Sequence, residues 1–364
     1  MILNLIQDVA TPHNNVLIDE LLKIEDIKLR SWYAVREDSS YYQWSESLLT
    51  KQDVVYGKNL NLSFILRCVR SKDEKFLLVG WANINTAFLH VLFFLLRRPY
   101  NHWTDNPIVN DNDNRKKRLS RWLSYKVLRY SKVKIFAVGK TAIERFKNWG
   151  FPDEMVVNLP IFVDVDLDLS KYRQDKEKIW KRYGMHSESV LLTAGSRLIY
   201  EKGYDLLINA IADIPIDQRK NLKLVLVGSG IELNCLLGLI DKHGLKKTVV
   251  IEDWMDPYDF QTLIANSDFF VHPARFDAYG STVVAMALGT PVVGSNYAGA
   301  AVDRIEHDSN GFFYDGLDTL ELSKLILKIL KNPQLSIAMG INAHNTSLKW
   351  HPNVGPKIIQ DNAI

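Results

Sequence analysis

The chain alternates short apolar runs with segments in which apolar residues recur every three or four positions. In the first half "ILNLIQ", "LRSWYAV", "KFLLVGW", "YNHWTD" and "KIFAVG" read as strands. Between them "NVLIDELLKI", "NTAFLHVLFFLLRR" and "KTAIERFKNWG" read as helices, the last closed by Gly150 as a C-terminal cap. The second half keeps the rhythm without repeating the sequence. Its strands are "VLLTAGS", "LKLVLVGSG", "VVIED", "FFVHPA" and "PVVGSN"; its helices are "GYDLLINAIADI", "IELNCLLGLIDKHG", "YDFQTLIANS" and "VVAMALG". Strands alternating with helices predict an α/β protein with two doubly wound, Rossmann-like parallel sheets, each covered on both faces. The polar stretch "LDLSKYRQDKEKIWKRYGMHSES" separates the halves, with the linker near Asp164 to Asp168. The expected domains are 1–165 and 166–350, with a tail, 351–364, packing back on the first. Ligands in such sheets sit at the carboxyl ends of the strands, so a cleft between the domains is the expected active site.

Composition narrows this reading little and charge rather more. A chain of 364 residues, 47% hydrophobic and 24% charged, can bury two cores and is not a disordered one. The opening "MILNLIQDVATPHNN" meets Asp8 early and lacks a basic n-region, so it reads as a first strand and not a signal peptide. "AFLHVLFFLL" has ten residues where a bilayer span needs about 20, and is a buried or interfacial helix. Cys68 and Cys235 lie far apart in apolar surroundings and are expected as two buried, reduced thiols of a cytosolic protein. No Cys/His cluster suggests a metal. Net charge is only +3, but Arg115 to Lys134 holds nine Lys/Arg and no acid. Leu119, Trp122, Leu123, Val127 and Tyr130 recur through it at helical spacing. This amphipathic basic helix is either a solvated face packed on its own domain or a surface that attracts an anionic membrane or a phosphate-bearing acceptor. No nucleic-acid motif accompanies it, so no nucleic-acid partner is expected.

The most informative chemistry lies in "LLTAGSRLIYEKGYDLL". A strand ends in Gly195 and Ser196, Arg197 follows, and Lys202 with Gly203 precedes a helix. Two cations bracketing a strand-to-helix loop, beside a helix N-terminus, suit a diphosphate. Gly299 to Ala301 is read as opening a loop after "TPVVGS", where small residues let backbone N–H groups approach an anion. "VGSG", with Gly228, lacks the third glycine of a dinucleotide fingerprint and is read as a strand-end loop near the same ligand.

"GSRLIYEKGYDLLINA", "LVLVGSG", "VIEDWM", "HPARFDAYG", "AMALGTPVVGSNYAGAAVD" and "NGFFYDG" resemble, in order and spacing, the retaining GT-B glycosyltransferases of family 4, glycosyltransferase group 1. The resemblance covers about Val190 to Gly316. The first half is similar more loosely, through "VATPHNNVLIDELL", "VGWANINTAFLHVLFFLLRRPYNHWTDNP" and "FAVGKTAIERFKNWGFPDEMVVNLPIFVDVD". It implies a nucleoside-diphosphate sugar held mainly by the second domain and an acceptor held mainly by the first. Arg197 and Lys202 would neutralise the diphosphate as charge builds on it, so no metal or other cofactor is implied. Asp277 would stand for the first acid of the paired-Glu motif, near the sugar hydroxyls. Tyr279, Gly280, Ser281 and Thr282 would run over sugar and phosphate, Gly299 and Ala300 would meet the diphosphate, and Trp254 and Met255 the base. At the end of "NHWTDNP", Asp105 matches an acceptor-side Asp, while Thr104 stands where a His is usual. His102 lies on the same strand face two residues earlier. His13, in the first loop, would reach toward the acceptor.

The departure is the second acid. Eight positions on from Asp277 stands Ala285, and alignment on "AMALGTPVV" puts the acid at Val284. Under either alignment it is absent. Losing a charge-assisted hydrogen bond to the donor ribose costs about 1.5–3 kcal/mol, which weakens a donor site without abolishing it. The resulting expectation is a hexosyltransferase, cytoplasmic and peripheral on the inner membrane face, that extends a glycan or lipid-linked acceptor in O-antigen or capsule assembly. Its rivals are a catalytically silent binding or scaffold subunit and a GT-B enzyme of other chemistry, a phosphorylase or an epimerase.

Overall fold

In the computed structural model the described residues are all except 8–10, 34–53, 56–61, 72, 82–83, 106–114, 164, 167 and 277–278. The chain divides into two compact units, Met1–Asp164 with His351–Ile364, and Val165–Trp350.

The first unit runs β1 (Ile2–Gln7), α1 (Pro12–Leu22), β2 (Lys28–Tyr33), β3 (Val54–Val55), α2 (Leu62–Arg70), β4 (Glu74–Val79), α3 (Ile84–Leu95), β5 (Tyr100–Thr104), α4 (Arg115–Tyr130), β6 (Val133–Ala137), α5 (Gly139–Asn148) and β7 (Val156–Asn158). The seven strands pair in the order β3-β2-β1-β4-β5-β6-β7, with parallel pairing throughout. Strand order reverses between β1 and β4. The connections from β3 to β7 all advance the same way across the sheet. Right-handed crossovers therefore put α2, α3, α4 and α5 on one face, where Phe64, Cys68, Phe93, Leu128 and Phe146 share one core.

The second unit runs α6 (Ser170–Arg173), α7 (Lys176–Arg182), β8 (Val190–Gly195), α8 (Tyr204–Ala212), β9 (Leu222–Val227), α9 (Leu233–Lys242), β10 (Val249–Glu252), α10 (Pro257–Ala265), β11 (Phe269–His272), α11 (Ser281–Ala287), β12 (Val292–Ser295), α12 (Gly299–Arg304), β13 (Gly311–Tyr314), α13 (Thr319–Lys331) and α14 (Leu335–Leu348). Its sheet has the order β10-β9-β8-β11-β12-β13, again with parallel pairing, and reverses between β8 and β11. Every residue of β8 is buried, as a strand covered on both faces requires. The chain then returns to the first unit as α15 (Val354–Asn362), which packs on α1. A side chain at Gly355 would collide with Leu17 and Phe162, so glycine permits that approach.

Three expectations need correction. Cys68 is buried, but Cys235 is exposed. It lies on the outer side of α9, whose buried stripe is Leu236 and Ile240. Gly299 to Ala301 open α12 and not a loop, and all three are buried. In the basic helix, α4, Leu128 and the half-buried Tyr125 meet the core, whereas Leu119, Trp122, Leu123 and Tyr130 are exposed. Its apolar stripe therefore faces outward, because those residues lie about half a turn from Leu128. The helix stops at Tyr130, and the following basic segment enters β6.

Candidate donor site

The carboxyl edges of β8 and β11 flank the reversal of the second sheet, the position where doubly wound sheets open a crevice. After β8 the chain passes Ser196 and the exposed Arg197, then forms a 3-10 turn over Tyr200–Lys202. Lys202 is only 8% exposed. Gly203 follows in the left-handed region at φ 68° and starts α8. A Cβ there would overlap the Pro273 carbonyl, so this glycine lets the Lys202 turn lie against the chain leaving β11.

Close backbone crossings build the rest of the edge. Gly228, just past β9, has φ 144°, and a Cβ on it would overlap the Ser196 carbonyl. The Leu198 amide donates to the Ser229 carbonyl at 2.8 Å. The Ser196 hydroxyl pairs with the Tyr204 hydroxyl at 3.0 Å, and the Ser281 hydroxyl donates to the Gly195 carbonyl at 3.1 Å. Gly280 caps α11 at φ 152°, a conformation that only glycine adopts readily. The buried His272 meets the Thr282 hydroxyl at 2.7 Å through Nδ1, joining the end of β11 to α11. The Ser295 hydroxyl donates to the Ala274 carbonyl at 2.5 Å, bringing the end of β12 to the same edge.

The structure thus gathers Gly195, Ser196, Lys202, Gly228, Gly280, Ser281 and Thr282 at the carboxyl ends of β8, β9 and β11, with Arg197 on the exposed part of the loop. Gly299 and Ala300 start α12 beyond β12, and Tyr279 is buried against the end of α12. Trp254 is exposed after β10, while Met255 packs against the core cluster that holds Tyr183, Leu191, Val225, Val227 and Leu263. Asp277 lies outside the described residues. Of the two positions for the missing acid, Ala285 is fully buried in an apolar cluster with Ile264, Phe270 and Met286, and Val284 is half-buried at its margin. A carboxylate at 285 would lose its hydration with no partner, so Val284 is the physically reasonable equivalent.

On the first unit His102 is 2% exposed, inside the core of β5. Strand alternation places it on the face of Thr104, but helices cover both faces, so alternation alone does not bring it to solvent. Its ring meets that of His90 edge-on at 4.7 Å, and His90 stacks on Trp81 at 4.2 Å. Burial lowers the His102 pKa to about 4 and holds that of His90 well below the ordinary value, so both rings are neutral near pH 7. Thr104 is half-buried and Asp105 exposed, just past the strand. His13 lies in the first turn of α1; its side chain is outside the described residues.

Sequence reading missed His272, Tyr204, Arg275, Asp303 and Arg304. None of them forms a recognisable spacing; each acts through a partner distant in sequence, apart from the Ser196–Tyr204 pair.

Residues 175–346 match the family model described as Glycosyl transferases group 1. Over those residues the second unit matches that family, and the two-sheet architecture of the chain is the GT-B fold. Among curated relatives it is 28% identical over 211 residues to a GDP-mannose-dependent monoacylated alpha-(1-6)-phosphatidylinositol monomannoside mannosyltransferase of Corynebacterium glutamicum, covering 56% of this chain and 54% of that protein. The chain thus spans about half the length of the curated relatives it matches first. Among solved structures it is similar to Anabaena HepE in complex with UDP, at TM-score 0.78 and 20% identity over 99% of both chains. It is also similar to WaaG, a glycosyltransferase involved in lipopolysaccharide biosynthesis, at TM-score 0.70 and 17% identity over 99% of this chain and 98% of that one.

Proposed function

We propose that this protein transfers a hexose, with retention, from a nucleoside-diphosphate sugar to a hydroxyl of a growing, lipid-linked surface glycan. The observation that carries the reading is the edge around the β8–β11 reversal. There a largely buried lysine, Lys202, and glycine-dependent backbone crossings at Gly203 and Gly228 surround the point where a doubly wound sheet takes its ligand. Lys202 and Arg197 stabilise charge developing on the leaving diphosphate, in a site where fixed cations need little reorganisation. Asp105 and Thr104, at the end of β5, serve the acceptor. The acceptor is a saccharide hydroxyl, a reading supported by one relative named as a phosphatidylinositol monomannoside mannosyltransferase and another involved in lipopolysaccharide biosynthesis.

The lipid-linked part of the reading rests on the outer face of the first unit. Exposed Leu62 and Val69 on α2, Phe88 and Leu95 on α3, and Leu119 and Trp122 on α4 lie on helices that share one side of the sheet. Those three helices contain Arg67, Arg70 and the α4 cations, and no Asp or Glu. An apolar surface framed by cations and free of acids fits an anionic bilayer. Among the described residues no helix is long and apolar enough to cross a membrane. The protein works at the inner membrane face, as a peripheral enzyme of O-antigen-like or capsule-like polymer assembly.

The test is a thermal-shift panel of UDP-, GDP- and ADP-sugars, followed by nuclear magnetic resonance of the product's anomeric configuration. A true donor at 100 times its dissociation constant adds about 2.7 kcal/mol of stability. Stabilisation by one base class and an axial product support the reading. Stabilisation without turnover on any acceptor favours the silent-subunit alternative, and no stabilisation by any nucleotide sugar removes the donor site.

A further inference from the structure

Two acids to which the resemblance assigns no role hold the segment that leaves β11. At its near end the Arg275 guanidinium makes a two-pronged contact with Asp205 of α8, Nη1 and Nη2 donating to the two carboxylate oxygens at 2.7 and 2.6 Å. Nη1 also donates to the Tyr200 carbonyl at 3.0 Å, and the guanidinium lies 4.2 Å from the Tyr200 ring centre. The amides of Arg275 and Phe276 both donate to the Glu201 carbonyl, at 2.9 and 3.1 Å. All of these partners belong to the Lys202 turn or the start of α8. At the far end the Tyr279 hydroxyl donates to the Asp303 carboxylate of α12. The Arg304 guanidinium stands 5.5 Å from the centre of the Tyr279 ring and 5.0 Å from that of Trp350. Tyr279, Asp303 and Arg304 are all buried. This second anchor belongs to the helix that Gly299 and Ala300 begin.

We infer that Asp205 and Asp303 are positioning residues of the donor site. Through Arg275 and Tyr279 they fix the chain on either side of residues 277–278, and so hold the Gly280–Ser281 turn, which the donor-site reading sets over the sugar, against the Lys202 turn and the start of α12. The inference rests on the donor-site reading above. The forked Arg275–Asp205 contact sets direction as well as distance, since a planar guanidinium binds a carboxylate in one orientation. The Tyr279–Asp303 bond is shielded from water. The two anchors attach the segment to two different diphosphate-side elements, so the segment cannot shift relative to either without breaking one of them. Such bracing carries weight in a site that lacks the second acid of its family.

The anchors act on the sugar end of the donor, and the bare diphosphate does not need them. The experiment compares wild type with Arg275→Lys, which keeps the charge and loses the fork, and Tyr279→Phe, which keeps the ring and loses the hydroxyl. Binding of UDP and GDP is measured by calorimetry, and turnover of UDP-glucose and GDP-mannose by release of nucleoside diphosphate. Each variant is expected to bind the nucleoside diphosphate within about three-fold of wild type and to lose roughly ten-fold or more in kcat for the nucleotide sugar, the scale that misplacement of a reacting group produces. Asp303→Glu should recover more turnover than Asp303→Asn, and the Tyr279→Phe/Asp303→Asn pair should lose no more than the worse single variant. Unchanged turnover in both Arg275→Lys and Tyr279→Phe overturns the inference. So does a parallel loss of nucleotide binding and turnover, which would mark general collapse of the site. Failure of wild type to bind either nucleoside diphosphate removes the donor reading itself, and the inference with it.

Discussion

The two sheets reverse strand order in the same way, one between β1 and β4 and the other between β8 and β11, yet the chemistry beside the reversals is opposite. Beside β8 and β11 stand Lys202 and Arg197, with backbone crossings that only glycine permits. In the first unit the end of β4 and the middle of β5 gather Trp81, His90 and His102, aromatic and uncharged at pH 7. The shared backbone pattern thus carries different side chains in the two units, cationic at the edge of the second sheet and largely buried, aromatic and uncharged in the first.

The largest expected effect on turnover comes from removing the charge on the second unit. Lys202→Ala should lower kcat by about 100-fold, or about 2.7 kcal/mol, because the cation acts on charge that develops during transfer. Arg197→Ala should do likewise, and near-normal steady-state turnover in both variants would dissolve the contrast between the units.

The next effect belongs to the first unit and is read in acid. The folded-state pKa of His102 is depressed to about 4, and that of His90 is also lowered, against an ordinary value of 6.5. Below pH 6.5 the unfolded chain takes up protons that the folded state refuses. The stabilising contribution of the neutral rings is therefore complete above that pH and is lost as pH falls toward 4, at about 1.4 kcal/mol per pH unit per histidine. Urea unfolding of the full chain between pH 7 and 4.5 should show this slope, and His102→Gln should remove roughly half of it. An unchanged slope in that variant would mean that His102 is not the buried neutral group described here.

A separate effect, on membrane binding and not on turnover, is expected at the outer helices. Replacing Arg115, Lys116, Lys117 and Arg118 with glutamine should weaken co-sedimentation with phosphatidylglycerol vesicles by about 1 kcal/mol per residue near the surface, most visibly at low salt. Trp122→Ser should weaken it further in a way that added salt does not hide, since apolar contact is unscreened. Indifference of wild type to anionic vesicles would reduce this face to a solvated one.

Much of the fold was legible because both sheets are parallel and buried, so each strand announces itself as an apolar run and each helix by its spacing. The diphosphate loop was legible for a similar reason, with Gly195, Arg197, Lys202 and Gly203 all lying within nine residues. The direction of α4 was not, since its apolar stripe looks the same whether it faces a core or the outside, and the packing of Leu128 and Tyr125 decides the matter. The burial of His102 was hidden because alternation names a face and not what covers it. Residues such as Asp205, paired with Arg275 across 70 positions, leave no local pattern at all. The two-way placement of the missing acid was resolved by burial, with Ala285 inside and Val284 at the margin.

The smallest expected effect follows from that placement. With no carboxylate at Val284, a 2′-deoxyribose donor should lose less than about 1 kcal/mol in kcat/KM relative to the ribose donor. A family member with both acids should lose several-fold more in the same comparison. A large penalty in this protein would mean that another group has taken over the ribose.

The central claim is that charge on the second unit, and Lys202 above all, holds the donor. Calorimetric Kd values for the preferred nucleotide sugar, measured in wild type and Lys202→Ala across a salt series from 20 to about 500 mM, test it most directly. The account predicts that wild-type affinity falls steeply with salt, whereas the variant binds weakly at every salt and with a visibly flatter dependence. Parallel salt dependences, with little separation between the two proteins at low salt, would contradict it.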